Sequence, residues 1–354
     1  MKIAILGDTH FGSRNDTAAF HGIFDKFYSN VFFPTLEARN VEVLIQLGDL
    51  FDRRKYVNYL TLALSRKYFF DKLKDINMPT HILLGNHCIF YKNTLEVNSP
   101  ELLLKEYDNI TIHKEPNMIN LGGKTIDMIP WICKDNEEEI FRYIEKSKAK
   151  LCMGHFELNG FAMSSWEVCN SELNGGFLGN YDAVLSGHFH QRSVKDNIVY
   201  AGSPYHLTWA DHEDERGFYI YCTETDDLEF IPNPYSLFKK IKYDERVMLD
   251  SSVVPEHEDF SQYENCYVKI IVSSKKNEDQ FNLFIDKLQE NNPMVIQIID
   301  ETEKIVLDDL GEDISGVEDT SSIIKKYIKN LEFEDSDGLE VLFNELYNTA
   351  LNMD

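Results

Sequence analysis

Ile3-Ala4-Ile5-Leu6-Gly7-Asp8 is a short apolar run that ends in glycine and then in a residue able to hold a metal ion. The ending recurs four times: in VLIQLGD (residues 43–49), HILLGNH (81–87, giving Asn86 and His87), KLCMGH (150–155) and DAVLSGH (182–188). Short apolar, β-branched runs of this kind read as strands. Glycine at the end lets the backbone turn sharply and approach a site without a Cβ. One such ending means little. Five imply that several strands finish at one edge and present Asp8, Asp49, Asn86, His155 and His188 to a shared centre, the place where open α/β sheets bind ligands.

Two endings also carry an i, i+2 pair, Asp8-Thr9-His10 and His188-Phe189-His190. In extended backbone such residues point to the same side, so each pair aims two ligands at one volume. The pooled set is Asp8, His10, Asp49, Asn86, His155, His188 and His190, which exceeds the need of one ion and suits two, with the Asp49 carboxylate bridging them. Mixed imidazole and carboxylate ligation favours manganese, iron or zinc over calcium. A pair of divalent ions serves in-line displacement at phosphorus, so the reaction class is phosphoester hydrolysis. His87, beside ligand Asn86, is placed to protonate the leaving oxygen or to stabilise charge on the phosphate.

Around these runs, residues 1–240 alternate β-branched stretches with amphipathic helical ones, which predicts an α/β layered domain. Helices are expected over Asp16 to Arg39, Asn58 to Asp75 and Asn136 to Lys146, and strands at Gly217 to Tyr221 and Leu228 to Ile231 close the domain before Pro232 and Pro234. A second, small α/β unit over 241–300 reads as a cap, with a strand at Tyr267 to Val272, a helix at Glu278 to Gln289 and a strand at Met294 to Ile299. An acidic stretch over 301–319 reads as a solvated linker. Two helices follow in 320–354, one aligning Ile324, Tyr327, Ile328 and Leu331, the other opening with Asp337 and Glu340 as in a capping box and aligning Leu339, Leu342, Phe343, Leu346 and Tyr347. So much apolar surface beyond a charged linker needs cover, either from the body or, the favoured expectation, from a partner protein.

The chain of 354 residues is 43% apolar and 27% charged, which excludes disorder as its dominant state. It has neither an apolar run long enough to span a membrane nor a signal peptide, so a cytoplasmic location is expected. Six scattered cysteines without a C-x-x-C pair read as reduced thiols, with Cys152 and Cys222 as small buried hydrophobes. The net charge of −25 is uneven: residues 241–354 hold 10 basic and 27 acidic residues, and residues 1–240 hold 25 and 33. Such a field repels DNA except where basic residues cluster, and Arg53, Arg54 and Lys55, directly after a ligand loop, are the group expected to contact phosphate.

The order of motifs, DTH (8–10), GDLFD (48–52), GNH (85–87), GHFE (154–157) and SGHFH (186–190), resembles the calcineurin-like metallophosphoesterase superfamily. That resemblance covers about residues 1–235 and implies a two-sheet β-sandwich flanked by helices. Within the superfamily, GHFELNGF (154–161), IPW (129–131), GSP (202–204) and RGF (216–218) are similar to the SbcD-type double-strand-break-repair nucleases and their phage recombination-endonuclease relatives. The similarity implies a manganese-dependent DNA nuclease with 3′-to-5′ exonuclease and endonuclease activity in DNA recombination and repair. It implies a DNA-facing capping domain, an SbcC-like ABC-type ATPase partner bound through 320–354, a homodimer, and a host-cytoplasmic location if phage-encoded. It assigns Asp8, His10, Asp49 and His190 to one ion, Asp49, Asn86, His155 and His188 to the other, and the catalytic role to His87. Two positions depart from the family pattern. Cys88 stands where a histidine-orienting Asp is usual, and Asp52 where a histidine tied to exonuclease activity is common. The same metal centre also serves protein phosphatases and nucleotide phosphodiesterases, and an inactive scaffold with this fold is the alternative of another class.

Overall fold

In the first strand, Lys2–Leu6, side chains alternate between two faces, and both faces are buried. Ile3 and Ile5 join Val43, Ile45, Met128, Met153 and Leu185 in one apolar layer, whereas Ala4 and Leu6 join Phe24, Phe27, Leu44 and Ile82 in another. A strand buried on both faces needs a partner layer on each side. In this computed structural model, which describes residues 1–164, 167–212, 214–248 and 259–302, helices cover one side of that strand's sheet and a second sheet covers the other.

The first sheet has the order Leu228–Pro232, Gly217–Cys222, Lys2–Leu6, Val43–Gln46, Thr80–Leu83 and Ile110–His113. The last four run parallel, and Gly217–Cys222 closes antiparallel on the first strand. The second sheet has the order Ser193–Lys195, Ile198–Tyr200, Ala183–Gly187, Leu151–His155, Lys124–Ile129 and Asn117–Leu121. Its outer face packs on the helix Glu137–Lys146 through Ile140 and Ile144. The mixed α/β class and the two-sheet sandwich are as expected, and the five ligand-bearing strand ends divide between the sheets, three on the first and two on the second.

The helix expected from Asp16 begins later, at Ala18, because Arg14, Asn15 and Asp16 all take left-handed backbone angles. It continues through a wide π turn at Tyr28–Phe32 into Phe33–Arg39, and the segment from Tyr59 to Asp75 contains a matching π turn at Arg66–Phe70. The two wide turns face each other: the rings of Tyr28 and Tyr68 stack at 5.7 Å, and Tyr28 meets Phe69 at 4.7 Å. Bulky rings at the point of contact account for the widening.

A third sheet of three parallel strands, Phe238–Asp244, Tyr267–Ser274 and Val295–Asp300, packs on the helix Glu278–Glu290 through Tyr243, Val268, Ile270, Phe281 and Phe284. Its first strand starts at Phe238, ahead of the boundary expected at residue 240. Residues 1–300 form one compact unit. From residue 303 on, the acidic stretch and the expected helix pair lie outside the described residues. The six thiols are free; Cys152 is buried as expected, whereas Cys222, near the end of its strand, is only half-buried. No helix among the described residues is long and apolar enough to cross a membrane.

Candidate metal centre

Three of the five ligand loops leave their strands through strained backbone. His10, Asp49 and His188 have φ of 41°, 49° and 90°, left-handed values that side chains other than glycine rarely adopt and that collect at functional sites. Gly48, at φ 107°, supplies the turn before Asp49. The other glycines are needed for space. A Cβ on Gly85 would overlap Asp49 Oδ1 and lie 2.7 Å from His155 Cε1, and one on Gly187 would lie 2.6 Å from Asp8 Oδ1. Gly85→Ala is therefore expected to displace ligands without unfolding the sheets. Manganese binding should weaken about tenfold or more while the circular dichroism spectrum is unchanged, the local overpacking costing on the order of 1–3 kcal/mol.

The seven ligand candidates converge as two groups. In the first, His10 Nε2 and His190 Nε2 face each other at 2.9 Å and lie 3.9 and 3.8 Å from Asp8 Oδ2. In the second, Asn86 Oδ1 is 3.1 Å from His155 Nε2 and 3.0 Å from His188 Nδ1. Asp49 Oδ2 stands between them, 3.8 Å from His10 Nε2 and 3.4 Å from His155 Nε2. Within each group the donor atoms lie close enough to share one cation, and Asp49 Oδ2 is near both groups.

The electrostatics also call for cations. Burial pushes the Asp8 carboxyl up to about 7, with His155 opposing and the charge of Asp49 adding to it. Burial acts on Asp49 in the same direction, but the charge and hydrogen bond of His155, followed by His10, hold its carboxyl below the usual range. His155 itself resists charging through burial and is pushed up to about 9 by Asp49 and Asp8. Burial lowers His10 and His188 and brings His190 to about 4. Burial disfavours the ionised Asp8 carboxyl, and added positive charge from a cation would favour it.

Backbone and side-chain partners fix the shells. His155 Nδ1 donates to the Leu47 carbonyl at 2.7 Å, turning Nε2 inward. The His188 amide donates to both Asp8 oxygens at 3.0 Å. Gln46, buried in an otherwise apolar strand, bonds the Gly48 amide and carbonyl and the Gly7 carbonyl, so it ties two ligand loops together. The Tyr205 hydroxyl donates to the Thr9 carbonyl between two ligands, and Trp131 packs its ring 5.2 Å from that of His188. A lone polar residue in an apolar strand was the signal for Gln46 and the IPW motif for Trp131, whereas Tyr205 had none in the sequence.

His87 lies beside the centre, its ring 4.8 Å from that of His10 and its amide donating to Asp49 Oδ1 at 2.7 Å. Its Nδ1 donates to the Asp52 carbonyl at 2.5 Å. Cys88 is fully buried in the apolar layer, so the histidine is oriented by the Asp52 backbone and not from the following position. Of the basic group, Arg53 is held by Asp16 and Asn15 at 3.0 and 2.6 Å, Arg54 reaches the Ile89 carbonyl at 3.3 Å, and Lys55 is exposed. Three other histidines are held by structural partners, His21 by Thr61 and Tyr68, and His81 by His113, which in turn bonds Asn117.

Residues 1–192 match the calcineurin-like phosphoesterase family. The chain is 32% identical over 355 residues to exonuclease subunit 1 of Enterobacteria phage T4, covering 99% of each protein. A solved archaeal phosphodiesterase is 16% identical with a TM-score of 0.35, covering 66% of this chain and 100% of its own. An Aquifex aeolicus protein of unknown function is 18% identical with a TM-score of 0.24, covering 51% of this chain and 93% of its own. At those scores neither solved structure adds to the assignment of the fold.

Proposed function

The chain belongs to the calcineurin-like phosphoesterase family, and on that premise we propose that it is the nuclease subunit of a phage recombination and repair complex. In this reading it hydrolyses DNA phosphodiesters as a 3′-to-5′ exonuclease and as an endonuclease. The observation that carries the proposal is the convergence of Asp8, His10 and His190 on one side of Asp49, and of Asn86, His155 and His188 on the other, with His87 bonded to the shared carboxylate. The near full-length likeness to an exonuclease subunit supports DNA as the substrate.

Two divalent ions, manganese in our reading, would be held by these two groups and supply the positive charge that steadies the attacking and leaving oxygens of an in-line displacement. The residues of the chain do the rest. Asp49, Asp8 and Asn86 provide the oxygen donors, and the Leu47 carbonyl fixes the tautomer of His155. His87, with Nδ1 committed to the Asp52 carbonyl, presents Nε2 to the substrate and there passes a proton to the leaving oxygen. Arg53, Arg54 and Lys55 are assigned to the phosphate backbone, Arg53 being oriented in advance by Asp16 and Asn15.

Residues 241–300 are assigned to a cap that faces DNA, and residues 320–354, after the linker, to an SbcC-like ATPase that supplies DNA affinity this acidic chain lacks. A second copy of the chain is assigned to helices near the start of the first domain. The host cytoplasm is the proposed location.

The test is a manganese-supplemented assay on linear and on circular single-stranded DNA, with bis-p-nitrophenyl phosphate alongside. Cleavage of both DNAs is the expected result. Hydrolysis of the small ester alone, persisting when the ATPase is added, would make the chain a phosphodiesterase, and no turnover of any substrate would make it a scaffold.

A further inference from the structure

The ligand shells leave one polar atom unexplained. His10 Nδ1 is buried and makes no hydrogen bond, yet it must carry a proton when Nε2 faces an ion. The group facing it is the carboxylate of Asp52, with Oδ1 at 3.5 Å. On the opposite side of the centre, His188 turns Nδ1 toward Asn86 and leaves Nε2 outward, 3.6 Å from Glu157 Oε2. One histidine of each group thus has an outward nitrogen facing a carboxylate.

Both acids close a motif whose earlier residue is a ligand, Asp52 in Gly48-Asp49-Leu50-Phe51-Asp52 and Glu157 in Gly154-His155-Phe156-Glu157. Each braces a histidine from a different loop, since His10 follows the first strand and His188 follows the strand Ala183–Gly187. The backbone of Asp52 is anchored at both ends, its amide donating to the Phe11 carbonyl at 3.0 Å and its own carbonyl receiving His87 Nδ1.

Resting on the metal-centre reading above, we propose that Asp52 and Glu157 are paired positioning residues, each fixing the tautomer and ring orientation of one ligand, Asp52 for the ion held by His10 and Glu157 for the ion held by His188. A carboxylate behind a ligating imidazole raises its basicity and locks its rotation, and loss of such a partner commonly weakens metal binding by about 10- to 100-fold. The two effects are separable because each acid touches one group only. Glu157 is the more exposed, 45% against 32% for Asp52, so its effect is the smaller.

The experiment is a Zn2+ titration of the metal-free full-length chain, followed through 15N-imidazole resonances. Those of His10 and His190 report one ion, and those of His155 and His188 the other. Asp52→Ala should shift the first set to about tenfold or more higher Zn2+ and leave the second within about twofold; Glu157→Ala should do the reverse, more weakly. Asp52→Asn and Glu157→Gln keep an acceptor oxygen and should recover part of the loss, which a general loss of folding would not allow. Equal weakening of both sets by either alanine variant, or no weakening by either, overturns the pairing while the metal centre stands. Absence of Zn2+ uptake by the unaltered chain overturns the centre and the pairing together.

Discussion

Replacing His87 by alanine is expected to lower phosphodiester hydrolysis by about 10²- to 10⁴-fold, the range that a positioned proton donor supplies, while both ions still bind. His87 is tied at two points. Its amide holds Asp49 Oδ1 and its Nδ1 holds the Asp52 carbonyl, so the side chain lies at the centre without being part of either ligand group. Alanine keeps the amide, and with it the bond to Asp49, but removes the ring and its Nε2. Single-turnover rates with manganese at saturation isolate the chemical step. The expected signature is a fall in that rate with unchanged calorimetric metal binding. A variant that cleaves DNA at the parent rate would remove His87 from the mechanism.

Asp49→Asn is expected to have the larger effect, loss of both ions together and of activity below detection, at least about 10⁴-fold down. Asp49 Oδ2 is the atom common to both groups, and its carboxylate is the one that neighbouring His155 and His10 keep charged in spite of burial. An amide there removes the charge and puts a neutral group at the bridge, so neither ion retains its shared anionic ligand. The fold should survive, because the sheets are held by apolar layers that do not depend on Asp49, although the substitution removes a charge that neighbouring His155 and His10 favour. Thermal melting of the metal-free protein, compared with manganese titration by calorimetry, separates the two effects: a lower melting point that still marks a cooperative transition, with no binding isotherm. Retention of one tight ion would show that the groups are independent of Asp49.

The ligand set was legible in the sequence because the signal was repeated and local: an apolar run, a glycine and a donor, five times, with i, i+2 pairs at Asp8–His10 and His188–His190. The glycines matter as read, since at Gly85 and Gly187 a Cβ meets Asp49 and Asp8. The endings alone suggest one sheet edge, whereas the strands ending at Gly7, Gly48 and Gly85 belong to one sheet and those bearing Gly154 and Gly187 to another. Sheet membership depends on pairing between distant strands, such as Gly217–Cys222 with Lys2–Leu6, which no local pattern encodes. The left-handed run at Arg14 to Asp16, which delays the helix and captures Arg53, has no strong local signature either, since only asparagine and aspartate mildly favour that backbone. The orienting roles of Asp52 and Glu157 were hidden for the same reason. Each reaches across to a histidine that follows a different strand, and Cys88, adjacent in sequence to His87, faces the core instead.

The most direct measurement of the two-ion centre is anomalous diffraction at the manganese edge from crystals of the full chain grown with manganese. The prediction is two peaks about 3.5–4 Å apart, on either side of Asp49 Oδ2, one within bonding distance of Asp8, His10 and His190 and the other of Asn86, His155 and His188. A single peak, or peaks away from Asp49, would contradict a two-ion centre bridged by that carboxylate.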